Sequence, residues 1–271
     1  MSEKKFKRQN ERDDYFLKIM NQYKYLDFNF INKYIYPTYE SRRHLLRKLR
    51  TFIDDGLMVN YISERKVYED IDRVIYAINE VGNEITKDKY DNRKFDVAAT
   101  KRLKQGYLHH LVVIHILFKA REENEGVLIF NERESYQDIN SKRKYTDSSK
   151  VIRPDGAILN ENGRLIILEY EHSNLRRDLF MKLTRYNDYF EKKLYRFSYS
   201  FGEYSKNIEL AFLHLVTSKP LTKKAIERIM SLDLKYIITS CTAEEMLNNP
   251  MNQNNYKTIE KHYEEIVAVN E

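Results

Sequence analysis

The sequence predicts an α/β chain, α+β overall, in two parts: a basic, mostly helical N-terminal part closed by a β-hairpin, then a larger domain on a mixed sheet. Three observations carry this. Helix, helix, basic helix and two strands follow one another before residue 85. Residues 1–66 hold 15 Lys/Arg against 9 Asp/Glu, while the remaining 205 residues hold 32 of each, so the whole +6 charge sits at the front. From Gly126 onward, strand and helix signals alternate around one hairpin, Ile152 to Glu171, which leads into a charged helix. The expected division is 1–85, 86–250 and a charged tail at 251–271.

Arg12 to Gln22 reads as a helix with Phe16, Leu17 and Met20 inward. Asp27 to Tyr36 reads as a short second helix, ended by Pro37. Thr38 is the expected cap of a third helix that runs to Asp55 and stops at Gly56. Leu45, Leu46, Leu49, Phe52 and Ile53 form its core stripe, with Arg42, Arg43, Arg47 and Arg50 mostly off it. Leu57–Ser63 and Arg73–Ile78 read as strands, and Glu64 to Asp72 as the tip between them. This is the order of a winged helix-turn-helix, whose third helix enters the major groove of duplex DNA while the wing touches backbone. Arg42, Arg43, His44 and Arg47 are then candidates for base edges, and Arg50, Arg65 and Lys66 for phosphates. The alternative is a solvated basic helix in a domain that binds protein.

A polar run, Thr86 to Lys94, is the expected junction. Val97 to Arg121 reads as a long helix, apolar almost all round in its second half and so buried on more than one side. His109, His110 and His115 lack the i, i+4 spacing of a helical two-histidine metal site, so they read as hydrogen-bonded helix histidines. Gly126 to Asn131 reads as a short buried strand, and Glu134, Glu122 or Glu123 as a spare carboxylate. Gln137 to Lys150, with Lys142, Arg143, Lys144 and Lys150, reads as a loop that clamps DNA.

The chemistry concentrates in IRPDGAILNENGRLIILEYEHSNLRRDLFMKLTRY, residues 152–186. Asn160 to Gly163 is a turn, with Gly163 suited to positive φ. Along Arg164 to Glu171, Leu165, Ile167, Glu169 and Glu171 share one face and Ile166, Leu168 and Tyr170 the other. Pairing Gly156–Leu159 with Leu165–Leu168 sets Asp155 beside the acidic pair. Three carboxylates at one strand end call for compensation. Oxygen donors suit Mg²⁺ or Mn²⁺, ions that activate water and neutralise phosphoryl charge. Asp155, Glu169 and Glu171 are the candidate metal ligands and catalytic carboxylates. The alternative leaves Glu169 and Glu171 as solvated ends of an edge strand. On the next helix, read as Asn174–Tyr195, Lys182 and Tyr186 share a face at i, i+4, among Leu179, Leu183 and Phe190. Leu210–Thr217, Leu221–Leu232, Tyr236–Ser240 and Thr242–Leu247 continue as strand, helix, strand and short helix, and Tyr256–Val267 as an amphipathic helix for self-association or docking.

Pro154-Asp155 followed by Glu169-Tyr170-Glu171 resembles the PD-(D/E)XK nuclease core. The finer pattern, R-P-D-G, an apolar strand ending in E-x-E, and K-x-x-x-Y at Lys182 and Tyr186, resembles the replication-relaxation family of plasmid and mobile-element proteins. That resemblance implies a winged helix before a restriction-endonuclease-like domain and metal-dependent nicking or relaxation of DNA in replication or mobilisation. It also covers a His-bearing apolar helix, matched by His110 to His115. One departure stands out: Glu171 occupies the position the pattern gives to lysine, and Lys182 is expected to reach back in its place as a catalytic cation. A non-catalytic DNA-binding regulator on a degenerate nuclease fold is the competing expectation. Tyr186 is not read as a relaxase nucleophile, since no histidine triad accompanies it.

Other function classes fall away. Cys241 is the only cysteine, so an internal disulfide and a thiolate zinc cluster are excluded. No run of 18 apolar residues suggests a membrane span, and the charged start is not a signal peptide, so a cytoplasmic setting is expected. Neither a phosphate-loop nor a dinucleotide glycine motif is present. The expected partners are double-stranded DNA and a second copy of the chain, with no membrane.

Overall fold

The computed structural model describes residues 11–39, 41–64, 66–90, 103, 106–135, 137–138, 151–172, 177–197 and 201–269. The chain divides into two compact units, Met1–Leu111 and Val112–Glu271.

In the first unit α1 (Glu11–Tyr23) opens with Glu11, Asp13 and Asp14, whose charge suits the positive end of a helix. It buries Phe16, Leu17, Ile19 and Met20. A three-residue strand follows, β1 (Tyr25–Asp27), just ahead of the expected second helix. Asp27 is fully buried, and its Oδ1 accepts the N–H groups of Asn29, Phe30 and Asp72. It thereby caps α2 (Phe28–Phe30), which runs into a π-helical turn, Ile31–Ile35, and anchors the hairpin tip to the same point. The expected Thr38 cap is not used. Thr38 Oγ1 accepts from Arg12 at 2.8 Å, and the N-cap of α3 (Arg42–Asp54) is Ser41. Leu45, Leu49 and Phe52 are buried, but Leu46 is 36% exposed, so the core stripe is narrower than expected. Gly56 stops the helix at φ +72°, in the left-handed region. The strands β2 (Met58–Ile62) and β3 (Val74–Ile78) pair antiparallel, and β1 adds to β3, giving the order β1-β3-β2.

The expected polar junction is instead a helix, α4 (Glu80–Tyr90). Buried Thr86 accepts from Asn21 of α1 at 2.7 Å, and the backbone at Gly82 closes on Leu57, where a Cβ would sit 2.1 Å from the Leu57 oxygen. Ser63 and Tyr107 hydroxyls meet at 2.6 Å in the same unit. The first unit thus extends past residue 85.

A helix, α5 (Tyr107–Glu123), crosses the division, and its apolar residues from Leu111 to Phe118 are all buried. The rest of the second unit is β4 (Leu128–Asn131), α6 (Glu132–Ser135), β5 (Gln137–Asp138), β6 (Val151–Ile152), β7 (Gly156–Leu159), β8 (Arg164–Glu171), α7 (Arg177–Glu191), β9 (Leu210–Thr217), α8 (Lys223–Met230), β10 (Ile238–Thr242), α9 (Ala243–Asn248), β11 (Lys257–Thr258) and α10 (Ile259–Val269). Six strands form one mixed sheet, β11-β10-β9-β8-β7-β4, with β8, β9 and β10 parallel. The fold class is therefore mixed α/β, as expected. β4 is its edge, and Leu128 is 37% exposed rather than buried. On one face Leu165 and Ile167 of β8 and Leu213 and Leu215 of β9 pack with Leu179, Leu183, Tyr186 and Phe190 of α7 and Ile226 and Ile229 of α8. On the other, Gly156 lies against Leu117 and Val113 of α5, where an added Cβ would meet both at 3.1–3.2 Å.

The stretch read as a tail belongs to this unit. β11 pairs with β10, Ile259 is in the core, and α10 packs on α8. Two-residue strands have no period to read, which hides this from the sequence.

Candidate active site

The central hairpin follows from its turn. Gly163 adopts φ +66°, its N–H donates to the Asn160 oxygen at 3.1 Å, and Asn160 Oδ1 accepts from Arg164 N–H at 2.9 Å. This sets Gly156 opposite Leu168 and Leu159 opposite Leu165, the register the alternation predicts. Asp155 lies just before β7. Its N–H donates to the Leu168 oxygen at 3.0 Å, and its Oδ2 accepts from Tyr170 N–H at 2.8 Å. The carboxylate thus stands in for a ladder carbonyl at the end of β8.

Glu169 is 3% exposed, on the face of β8 that meets α7. Lys182 Nζ donates to its Oε2 and the Tyr186 hydroxyl to its Oε1. One helix turn of α7 therefore supplies both donors. Burial lifts the Glu169 pKa well above the carboxylate range; Lys182 pulls it down, the charge of Asp155 pushes it up again, and the two hydrogen bonds lower it. Burial works against the Lys182 charge, but Glu169, Asp155 and Glu132 outweigh it and raise its pKa, so the ammonium is retained. Burial and Glu169 likewise hold the Tyr186 hydroxyl protonated. Tyr186, Tyr189, Phe190 and Tyr236 pack ring on ring behind the cluster, with Phe190 and Tyr236 stacked at 4.7 Å.

Of the expected residues, Asp155, Glu169 and Lys182 are brought together. Glu171 is not part of that cluster: half-buried at the end of β8, it lines a neighbouring cleft of about 550 Å³. Among the described residues no three His, Cys, Asp or Glu side chains converge to hold a metal. Magnesium and manganese, however, need only one or two protein carboxylates beside water and substrate phosphate, and Asp155 with Glu169 fits that donor set. The spare-carboxylate candidates are engaged elsewhere. Glu134 caps Asn131 N–H at 2.9 Å and Glu123 accepts from Met251 N–H at 3.4 Å. Glu132, beside Glu134, is the one whose charge reaches Lys182. The signal was there in Glu132-Arg-Glu134, but a four-residue helix cannot be phased from sequence.

In the first unit Arg43, His44, Arg47 and Arg50 are exposed on α3 and Lys66 on the hairpin tip. Arg42 is held by Asp72 at 3.0 Å and lies over the Phe28 ring at 4.1 Å. Arg65, Arg176 and the basic loop from Lys142 to Lys150 lie outside the described residues. Of the helix histidines, His115 is buried.

No family model matches the chain, and no curated protein matches it in sequence. Solved structures similar to it are restriction endonucleases. Bse634I restriction endonuclease is 11% identical over 76% of this chain and 99% of its own, with a TM-score of 0.34. Restriction endonuclease FokI bound to DNA is 13% identical over 88% of this chain, which spans 43% of that protein, with a TM-score of 0.29. Likenesses this distant assign no chemistry.

Proposed function

We propose that this chain is a DNA-binding protein whose second unit hydrolyses a phosphodiester with a divalent metal, as an endonuclease or nickase. The observation that carries the reading is the convergence of Asp155 and Glu169 with Lys182 at the end of β8. Asp155 and Glu169 would hold Mg²⁺ or Mn²⁺, which supplies an activated water and neutralises phosphoryl charge. Glu169 also orients Lys182 and Tyr186. The Lys182 ammonium, a third exposed, is the cation left to stabilise charge building on the phosphate. It thus fills the role of the lysine that Glu171 replaces. The first unit would address duplex DNA as a winged helix, with Arg43, His44 and Arg47 toward bases, Arg50 and Lys66 toward phosphates, and Arg42 positioned by Asp72. A plasmid or mobile-element setting, in replication or mobilisation, is the finer part of the proposal and rests on the R-P-D-G, E-x-E and K-x-x-x-Y pattern.

The test is nicking of supercoiled plasmid with Mg²⁺ or Mn²⁺ by wild type, Asp155→Ala and Lys182→Ala. Open-circular product from wild type alone supports the site; product from all three places the activity elsewhere. A gel shift on duplex DNA unchanged in Arg43→Glu/Arg47→Glu overturns the role of α3. One observation favours a second reading, a non-catalytic DNA-binding regulator: both Glu169 oxygens already accept hydrogen bonds from Lys182 and Tyr186. Intact duplex binding with no nicking under any metal would select it.

A further inference from the structure

The cleft beside Glu171 is not used by the hydrolytic reading. It lies at the C-terminal ends of the parallel strands β8 and β9, lined among others by Glu171, Phe180, Ser218, Lys219, Lys224 and Arg228. The loop that forms it is tied to the strand end. Ser218 N–H donates to the Glu171 oxygen at 3.1 Å, its hydroxyl to the His172 oxygen at 2.5 Å, and Thr217 Oγ1 to the Lys219 oxygen at 2.7 Å. Arg228 lies over the Phe180 ring at 4.0 Å, which orders its guanidinium. Among the described residues no carboxylate forms an ion pair with Lys219, Lys224 or Arg228. Lys219, Lys224 and Arg228 line the cleft with a single carboxylate, Glu171, so its charge favours an anion. At about 550 Å³, and walled in part by Phe180, the cleft has room for far more than a bare phosphate. Glu171 lies two residues past Glu169 on the same strand face, about 7 Å along β8, close to the spacing of neighbouring phosphates in a nucleic-acid strand.

We infer that this cleft holds a nucleotide unit, by its phosphate, of the strand that runs through the Asp155–Glu169–Lys182 cluster; this rests on the nuclease reading. The strand continues past the cluster, its next phosphate takes Lys219 and Lys224, and Glu171 accepts from the sugar or base rather than binding metal.

The test is fluorescence anisotropy of a short labelled oligothymidine without divalent metal, over a series of salt concentrations. It compares the full-length Arg43→Glu/Arg47→Glu protein with and without Lys219→Ala/Lys224→Ala, with thermal melting to confirm that each is folded. The added lysine changes should weaken binding ~10-fold at low salt and make the log K against log salt slope shallower by about 0.7–1.4, the release from one or two phosphates. Lys219→Arg/Lys224→Arg should restore both. Affinity within twofold and an unchanged slope, in folded protein, overturn the inference. So does displacement of the strand by thymidine monophosphate or inorganic phosphate at concentrations matched to the oligonucleotide, which would make the cleft a small-anion site. Plasmid nicking is measured in parallel. A protein that nicks nothing but shows the shallower slope retains the subsite and loses the hydrolytic reading.

Discussion

The same three groups meet in both units. In the first, buried Asp13 accepts from the Tyr36 hydroxyl at 2.8 Å and from Lys48 Nζ at 2.5 Å. In the second, buried Glu169 accepts from Tyr186 and Lys182. What the second site adds is the charge of Asp155, which pushes the Glu169 pKa up. A carboxylate sealed with a tyrosine and a lysine is a packing solution that the chain uses for stability. The added charge of Asp155 makes the second copy costly to fold, as expected of the site proposed for chemistry.

The largest losses should come from the ammonium groups. Lys48→Met and Lys182→Met each strand a buried carboxylate and should cost about 2–4 kcal/mol by urea unfolding, the second toward the low end because Lys182 is more solvent-screened. Next, the carboxylates should split in sign. Asp13→Asn should destabilise by ~2 kcal/mol, while Asp155→Asn keeps an oxygen for Tyr170 N–H, relieves Glu169, and should stabilise by about 0.5–1 kcal/mol while abolishing the proposed nicking. Equal losses in both would remove the distinction between the triads.

The pH dependence sharpens it further. Glu169 has a folded pKa raised above its unfolded value, so its contribution is present below the ordinary carboxylate range and fades as pH rises toward the folded value. Glu169→Gln should flatten that limb. The acid limb has a separate source. Buried His214, bonded to Thr239 at 2.8 Å and to Cys241 at 3.3 Å, is pushed down to about 3 by burial first and the His262 charge second. Its stabilisation is complete above its unfolded pKa and declines as pH falls, by up to ~1.4 kcal/mol per unit. His214→Gln should remove that slope in unfolding curves taken between mildly acidic and neutral pH. Smallest are the hydroxyls. Tyr36→Phe and Tyr186→Phe should each cost about 1–2 kcal/mol, whereas Tyr189→Phe should be neutral within ~0.5 kcal/mol, because its buried hydroxyl has no hydrogen-bond partner among the described residues.

Much of this site was legible because its signals are local. The Asn160–Gly163 turn and the alternation of β8 specify one register, since a slip of one residue would put Glu169 on the other face. The i, i+4 spacing put Lys182 and Tyr186 on one side of α7. Helix α4 was missed because a polar stretch becomes helical here through Asn21 and the close approach at Gly82, neither visible in its own composition. β1 and β11 were missed because strands of two or three residues owe their existence to the sheet that receives them.

By itself, then, the sequence determined the mixed α/β class, the hairpin register, the basic face of α3 and the placing of Asp155 beside the acidic strand end, because short-range sterics and periodicity act within a few residues. Long-range packing brings Lys182 to Glu169, sets Glu171 at a cleft with Lys219 and Lys224, and gives Asp13 the same kinds of partner as Glu169 in another place. Those outcomes depend on which surfaces the helices bury, a choice made by packing over many residues at once.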